Sequence, residues 1–279
     1  MKKFHLFIST LFLSAMVALG VPKAEAAGEI SQILQKGELQ IGYIPSPPGI
    51  AKNPASGELT GFYVDAARAI AEQMGVKPVF VETTWANFVA GLQAGQFDMS
   101  IGATFATVKR STAVDFTKPI FYLGSVAVVK ADETRFNAVA DLNKEDVRIA
   151  VVQGTAAEDY VRRTIPKAKL MSLGGGNLTA GFIEVASGRA DASFEDVFTA
   201  SKFAEQQPGV KVLFKDKQVN FLPIAWTVKK GNSELQALLN VGLDNLLISG
   251  QLEAITSKYV KGGRFVNEPN LREFPKGLQ

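Results

Sequence analysis

The segment TFATVKRSTAVDFTKP, residues 104–119, holds the side chain with the most distinctive binding chemistry. Arg110 lies three residues after Thr107 and just before the apolar approach to Asp115. A guanidinium is always charged, and its planar fork of N–H donors matches the two oxygens of a carboxylate. Arg110 could therefore hold an anionic ligand. It could also be a surface arginine near a helix start or the ion-pair partner of Asp115, whereas the neighbouring Lys109 is expected to be solvated.

A second polar turn follows the apolar run VRIAVV. Gln153, Gly154, Thr155 and Ala156 lead from this run into a helical pattern. They predict a turn into a helix N-terminus, whose free amides suit an anionic group. A capping turn without a ligand is the alternative. The later run of three glycines, residues 174–176, lacks the Lys-Ser or Lys-Thr of a phosphate-binding loop and is interpreted as a turn.

Two adjacent carboxylates, Glu195 and Asp196, end the segment GRADASFED. A carboxylate at a strand end opposite Arg110 would create a dipolar site. Asp is also a preferred N-cap residue, so Asp196 could begin the helical pattern VFTASKFAEQ instead. The two roles can coexist.

The residue types that are missing exclude much catalytic chemistry. The sequence has no cysteine, and its one histidine is His5, inside a segment that we expect to be removed. Nucleophilic systems built on Ser-His-Asp or Cys-His are then excluded, as are zinc sites built on His or Cys and a disulfide framework. No metal or cofactor is predicted, and only carboxylates, lysines and tyrosines remain as acid or base groups.

Residues 1–26 have the pattern of a secretory signal peptide. A basic start at Lys2 and Lys3 precedes an apolar run and small residues at Ala24 and Ala26. No later stretch reaches the roughly 18 apolar residues that a membrane-spanning helix requires. Removal of the signal lowers the formal net charge from +3 to about +1, which does not favour nucleic-acid binding. A soluble periplasmic protein, expected to be a monomer, fits best.

Strand patterns alternate with helical patterns in two successive units. The first unit contains ELQIGYI, the amphipathic helix VDAARAIAEQM, KPVFVETT and DMSIGAT; the second contains VRIAVV, KLMSL and ADASFE with helices between them. This alternation predicts an α/β protein. The segments GSVAVVKA and FLPIAWTVKKG are each expected to form a strand that carries the chain between the units. The predicted lobes are residues 29–125 with 228–265, and residues 126–227, followed by a tail at 266–279.

Five fragments in the same order resemble the periplasmic solute-binding proteins of polar amino acid ABC uptake systems, bacterial extracellular solute-binding protein family 3. They are GELTGFYVDAARAIAEQMG, WANFVAGLQAGQFDMSI, TVKRSTAVDFTKPIFY, VVQGT and GRADASFED. The resemblance runs from Leu39 to about Val260. It implies a two-lobed periplasmic binding protein type II fold, with a β-sheet flanked by helices in each lobe and a two-strand hinge. It also implies a small-molecule ligand in the cleft and an inner-membrane ABC transporter permease as partner.

The resemblance implies roles for individual residues. Arg110 matches the arginine that grips the ligand carboxylate, and Trp85 matches an aromatic position against the ligand, although core packing would also explain a tryptophan. Asp196 matches an aspartate that accepts from the ligand ammonium. The predicted ligand-binding set is completed by residues of the first loop, the T-x-x-R segment and the second lobe: Tyr43, Ala103, Phe105, Gln153, Thr155, Ala156 and Glu195.

Several positions depart from the family pattern. Phe105 stands where a serine or threonine hydroxyl is frequent, and Tyr43, Ser46 and Gly49 replace acidic and aromatic types of the first loop. An apolar, aromatic or modified amino acid, or an organic acid without an amine, is then a possible ligand. The alternatives are a periplasmic cyclohexadienyl dehydratase on the same fold, with Glu195 as the acid, and a sensory ligand-binding module.

Overall fold

A computed structural model describes residues 28–260. The predicted signal peptide, residues 1–26, and the predicted tail, residues 266–279, lie outside the described residues. Between residues 28 and 260, no helix combines the length and the apolar character needed to cross a membrane.

The described residues alternate between strands and helices. The strands are β1 (Glu38–Tyr43), β2 (Ala51–Lys52), β3 (Leu59–Thr60), β4 (Lys77–Glu82), β5 (Met99–Ile101), β6 (Val114–Phe116), β7 (Phe121–Lys130), β8 (Arg148–Val152), β9 (Lys169–Leu173), β10 (Ala192–Asp196), β11 (Val210–Leu213), β12 (Val219–Ile224) and β13 (Thr227–Lys229). The helices are α1 (Glu29–Lys36), α2 (Phe62–Gln73), α3 (Phe88–Gln93), α4 (Val108–Ser111), α5 (Ala156–Thr164), α6 (Ala180–Ala186), α7 (Val197–Gln206), α8 (Ser233–Ile248) and α9 (Gln251–Ser257).

The first lobe is built on a five-stranded sheet in the order β4-β1-β5-β13-β6. Strand β1 is parallel to β4 and β5, whereas β13 is antiparallel to β5 and β6. Helix α2 packs here because Val64, Ala67, Ile70 and Ala71 are buried on its apolar face. This periodicity is the one that predicted the helix.

The second lobe is built on a sheet in the order β11-β7-β10-β8-β9, with β12 also paired to β7. Strands β8, β9 and β10 are parallel, and β7 is antiparallel to β10, β11 and β12. Helix α5 ends at Thr164, two residues before Pro166, in keeping with the bias of a pre-proline residue against helical geometry. The α/β class and the two sheet-based lobes are confirmed.

Two antiparallel strands connect the lobes. The first residues of β7 pair with β12, with Phe121 opposite Ile224 and Leu123 opposite Leu222. The chain enters the second lobe through β7 and leaves it through β12. The single strand predicted over FLPIAWTVKKG is wrong, because this segment is divided between β12 and β13. Between them Trp226 is fully buried in the core of the first lobe, and its backbone N–H donates to Thr117 Oγ1 at 3.1 Å.

Candidate functional site

A cavity lies between the two lobes, and we call it the anchor cavity. The first lobe provides Trp85, Ala103, Phe105 and Arg110, and the second provides Thr155, Ala156, Leu178, Glu195 and Asp196. Eight of these nine were predicted as site residues from the sequence. The site thus combines one cation with two carboxylates on apolar and aromatic walls.

The local structure around Arg110 fixes its side chain inside the cavity. Helix α4 begins after Thr107, whose Oγ1 accepts the Arg110 backbone N–H at 3.2 Å. Arg110 is 8% exposed, and its guanidinium donates from Nη1 to the Phe105 carbonyl at 2.9 Å and from Nη2 to the Gly154 carbonyl at 2.7 Å. Because Gly154 belongs to the second lobe, the second bond crosses the cleft.

Asp115, the ion-pair partner that the sequence suggested as an alternative, does not neutralise the guanidinium. Asp115 instead accepts from Lys230 Nζ at 2.6 Å and from the Gly231 N–H at 2.7 Å. Burial lowers the pKa of Arg110 to about 10, while the negative charges of Asp159 and Glu195 act in the opposite direction. Arg110 therefore stays cationic at neutral pH, and its direct hydrogen-bond partners are neutral carbonyls.

Aromatic rings surround the same guanidinium. Its central carbon lies 5.9 Å from the centroid of the Trp85 ring and 5.4 Å from that of Phe88. Trp85 is 4% exposed and packs edge-on against Phe88. These rings restrict water around the cation, which strengthens its interaction with any anion that enters the cavity.

The predicted turn before α5 forms the wall opposite Arg110. Thr155 is the N-cap: its Oγ1 accepts the Glu158 N–H at 3.2 Å and donates to the Val152 carbonyl at 2.8 Å. Gly154 has a φ of +80°, and a Cβ there would lie 2.6 Å from the Trp85 carbonyl oxygen. A glycine is therefore needed where the two lobes approach most closely at this turn.

Lys109 is more than a solvated neighbour of Arg110. Its side chain is 76% exposed, as expected, but its Nζ lies 2.6 Å from Asp159 Oδ1 in the second lobe. The ion pair with Asp159, which the sequence did not predict, forms because α5 of the second lobe lies next to α4 of the first. A lysine pairing across a cleft has no local signal in the sequence.

The two carboxylates have different surroundings. Asp196 is the N-cap of α7: its Oδ1 accepts the N–H groups of Phe198 at 2.9 Å and Thr199 at 3.0 Å, and its Oδ2 accepts the Thr199 hydroxyl at 2.6 Å. Glu195 is 4% exposed, and its Oε1 accepts the Asp196 N–H at 3.1 Å. Its Oε2 is buried and has no hydrogen-bond partner among residues 28–260.

Burial raises the pKa of both carboxyl groups. For Glu195 the pKa rises to about 8, because desolvation and the charge of Asp196 outweigh the Asp196 N–H and Arg110. For Asp196 the direction is also upward, since burial outweighs the hydrogen bonds from Thr199 and Phe198. The unliganded cavity therefore favours a protonated Glu195 at neutral pH.

Two predicted site residues lie outside the anchor cavity. The Tyr43 hydroxyl donates to Glu82 Oε2 at 2.8 Å, and its ring packs edge-on against Phe80. Gln153 is exposed, with its backbone N–H bonded to the Leu173 carbonyl. Sequence reasoning missed Leu178, which is 6% exposed. The sequence feature that could have identified Leu178 is its position as an apolar residue between the polar turn at 174–177 and the next helix.

A second cavity lies beside the strands that connect the lobes, and we call it the hinge cavity. It shares Ala103 and Asp196 with the anchor cavity. The Tyr63 hydroxyl, buried in its wall, has no hydrogen-bond partner. The remaining lining residues come from the first loop, α2, the connecting strands, α7 and the end of α9: Ser46, Pro47, Pro48, Gly49, Phe62, Phe121, Leu123, Phe198, Thr199 and Val260.

Residues 39–262 match the family model that is described as bacterial extracellular solute-binding proteins, family 3. Among curated proteins, the histidine-binding periplasmic protein of Salmonella typhimurium is 28% identical over 257 residues, which are 89% of this chain and 96% of that protein. The ABC transporter glutamine-binding protein of Bacillus subtilis is 28% identical over 213 residues, covering 75% of this chain and 76% of that protein.

Solved structures of amino acid-binding proteins are also similar to this chain. An ancestral amino acid-binding protein, described as a precursor of cyclohexadienyl dehydratase, is 33% identical with a TM-score of 0.75, covering 84% of this chain and 100% of that chain. An ancestral arginine-binding protein bound to arginine is 31% identical with a TM-score of 0.71, covering 80% and 98%.

Proposed function

Because the chain belongs to the bacterial extracellular solute-binding proteins of family 3, we propose that it captures an amino acid or related small carboxylate for an ABC importer. The observation that carries this proposal is Arg110, a buried cation in a cavity between two lobes, bonded only to neutral carbonyls. The named relatives support the class of ligand, since they are binding proteins for histidine, glutamine and arginine.

In this proposal the ligand carboxylate binds to Arg110. A carboxylate that enters the anchor cavity meets the guanidinium, the N-terminus of α5 and aromatic walls that exclude water. Charge-assisted hydrogen bonds to a guanidinium are among the strongest available to a carboxylate. The ligand also supplies the negative charge that this buried cation otherwise lacks.

Capture works by closure of the lobes around the ligand. Arg110, Trp85 and Phe105 belong to the first lobe, whereas Thr155 and Glu195 belong to the second. A ligand that contacts both groups has more contacts in the closed state, so its binding shifts the population toward closure. Hinge closure of this kind is the established behaviour of periplasmic binding proteins. The membrane permease then recognises the surface of the closed conformation.

The site of action is the periplasm, and the protein acts as a monomer. The signal-peptide pattern of residues 1–26 and the periplasmic relatives support this location. Mass spectrometry of protein purified from the periplasm is expected to find an N-terminus near Ala27 or Gly28. An intact chain beginning at Met1 would contradict export by signal cleavage.

A thermal-shift screen tests the proposed function. Ligand-stripped, refolded protein is mixed with each of the 20 standard L-amino acids and with a set of small organic acids. Binding to the native state alone stabilises by mass action, about 2.7 kcal/mol at a ligand concentration 100 times Kd. At least one amino acid or carboxylate is expected to raise Tm. A flat result across the panel at millimolar concentrations would contradict the proposal.

The buried carboxyl group of Glu195 favours a second candidate function, that of an enzyme resembling the cyclohexadienyl dehydratases. Its buried carboxyl, with a pKa raised to about 8, could protonate a leaving hydroxyl so that it departs as water. Incubation with prephenate and arogenate followed by chromatography separates the two functions. The receptor is expected to return both compounds unchanged. Turnover that disappears in Glu195→Gln would favour the enzyme instead.

A further inference from the structure

Glu158 joins the body of the second lobe to the turn that contacts the first lobe. It is buried in the first turn of α5, and its Oε2 accepts the Gly154 N–H at 2.8 Å. Its Oε1 accepts from Ser172 Oγ at 2.6 Å and from Arg162 Nη2 at 2.8 Å. Both oxygens of the carboxylate are therefore used within the second lobe, and Glu158 does not itself line the anchor cavity.

The bonds of this carboxylate differ from those of an ordinary capping box. Thr155 followed three residues later by Glu158 matches that motif, in which the glutamate accepts the N–H of the N-cap residue itself. Here the Thr155 N–H is bonded to the Val152 carbonyl at 3.3 Å, and the carboxylate accepts the N–H of Gly154, one residue earlier. Glu158 therefore holds the turn that precedes the helix as well as the helix itself.

Gly154 needs an external contact to keep one backbone conformation. Its φ is +80°, and glycine adopts positive and negative φ values about equally readily. The Gly154 carbonyl accepts from Arg110 Nη2 at 2.7 Å, and a Cβ on Gly154 would lie 2.6 Å from the Trp85 carbonyl oxygen. These contacts across the cleft require one geometry of the turn. A rotation of the peptide before Gly154 would change its φ and move its N–H away from Glu158.

We propose that Glu158 is a positioning residue for ligand capture, which fixes the turn at Gly154 in the form that Arg110 and Trp85 contact when the lobes close. The inference rests on the proposed function and adds a residue to its mechanism without changing the class of ligand. Because the turn is ordered before closure, closure loses less backbone entropy, and the closed, liganded state is favoured. Arg162 holds the carboxylate in the orientation that reaches the turn.

A set of variants separates positioning of the turn from stability of the lobe. Glu158→Ala removes every bond of the carboxylate, whereas Glu158→Gln keeps an oxygen that can accept the Gly154 N–H. Arg162→Ala removes the ion pair but leaves the bond from Glu158 to the turn. Glu184→Ala is the matched control, because Glu184 forms an ion pair with Arg189 in the same lobe and does not line the anchor cavity. Glu158→Met, with an apolar side chain of similar length, replaces Glu158→Ala if circular dichroism shows that the latter fails to fold.

The Gly154 amide reports the contact without any ligand. Amide hydrogen exchange followed by NMR is expected to show slow exchange of this N–H in wild type and Glu158→Gln, and fast exchange in Glu158→Ala. Exchange should stay slow in Glu184→Ala. Equal protection of the Gly154 amide in wild type and Glu158→Ala would show that the turn does not depend on Glu158, and it would overturn the inference.

Titration calorimetry measures the effect on capture, with the 20 standard L-amino acids and the small organic acids of the thermal-shift screen as probes. For a probe that the wild type binds, Glu158→Ala should weaken binding about tenfold, and Glu158→Gln should restore most of the affinity. Arg162→Ala and Glu184→Ala should bind as the wild type does, even where urea denaturation shows that they are less stable.

The outcomes distinguish this inference from the proposed function. Wild-type affinity in Glu158→Ala would overturn the inference and leave the proposed function intact. Equal weakening in Glu158→Ala and Glu184→Ala would overturn it as well, because affinity would then follow the stability of the second lobe. Binding of no probe by the wild type would overturn both.

Discussion

Arg110 constrains the function of this protein more than any other single side chain. It is buried in the cleft, and its guanidinium donates to the carbonyl groups of Phe105 and Gly154. A charge in such surroundings is unfavourable unless an opposite charge is nearby. The negative charges of Asp159 and Glu195 act on the guanidinium, but these carboxylates do not hydrogen-bond to it directly. An anionic ligand completes this arrangement.

The adjacent carboxylates are expected to differ in their effect on stability. Asp196→Ala removes the cap of α7 and should lower the free energy of unfolding by about 1 to 2 kcal/mol. Glu195→Gln keeps an oxygen for the Asp196 N–H and removes a buried ionisable group, so it should not destabilise the protein at pH 7. Urea denaturation of both variants measures these differences.

A matched control for the cap is Asp196→Asn, which keeps an acceptor for the N–H groups of Phe198 and Thr199. Its stability should lie closer to the wild type than that of Asp196→Ala. If Asp196→Ala and wild type unfold at the same urea concentration, the cap is unimportant.

At the level of elements, the site is made by the ends of strands and the turns that follow them. The turn after β8 places Gly154 and Thr155, the end of β10 places Glu195, and the short helix α4 places Arg110. In α/β sheets, ligands bind at such crevices outside the carboxyl ends of strands. The turn that contains Gly154 contacts the opposite lobe directly, because the Gly154 carbonyl accepts from Arg110 Nη2.

Gly154→Ala should weaken ligand binding without unfolding either lobe. The added Cβ would lie 2.6 Å from the Trp85 carbonyl oxygen, and the φ of +80° is unfavourable for alanine. Because the contact with Trp85 exists only when the cleft is closed, the substitution penalises closure. We expect affinity to fall by about tenfold or more, equivalent to roughly 1.4 kcal/mol, in calorimetric titration.

Gly188→Ala separates this effect from backbone strain. Gly188 has a φ of +77°, and the nearest atom to an added Cβ is the end of the Lys130 side chain at 4.0 Å. This variant should lose stability through strain but bind ligand as the wild type does. Similar losses of affinity in both variants would show that strain in the second lobe, rather than contact with Trp85, explains the result.

Lys109→Ala should have a small effect on binding that salt reduces further. The ion pair with Asp159 joins α4 to α5 across the cleft, but the lysine side chain is 76% exposed. Exposed ion pairs contribute little, so the affinity should fall by less than about fivefold at low ionic strength. Lys118→Ala is the control, because Lys118 pairs with Asp244 within the first lobe. A larger loss for Lys109→Ala that persists at high salt would show a different role.

At the scale of the whole molecule, the cleft is closed by apolar contacts as well as by polar ones. Ile44, Trp85 and Phe88 of the first lobe form one buried cluster with Val152 and Leu178 of the second. This cluster lies beside the anchor cavity and contributes Trp85 and Leu178 to its lining. Closure therefore removes apolar surface from water at the same place where it surrounds the ligand.

The sequence predicted the local parts of this arrangement better than the parts that depend on two lobes meeting. Periodicity predicted α2, and residue chemistry singled out Arg110 and the Asp196 cap. The division of FLPIAWTVKKG between two sheets, and the pairing of Lys109 with Asp159, depend on where distant strands and helices lie. Periods and propensities of a single segment contain no such information. The predicted lobe boundaries remain a prediction.

Calorimetric titration of wild type, Arg110→Ala and Arg110→Lys with the best ligand of the screen tests the central claim most directly. Loss of the guanidinium leaves a desolvated ligand charge unpaired, at a cost of about 2 to 5 kcal/mol of binding. The affinity of Arg110→Ala should therefore fall by roughly thirtyfold to several thousandfold. Arg110→Lys should restore little, because an ammonium lacks the planar fork of donors. Equal affinities for wild type and Arg110→Ala would contradict the account, since the ligand carboxylate would then bind elsewhere.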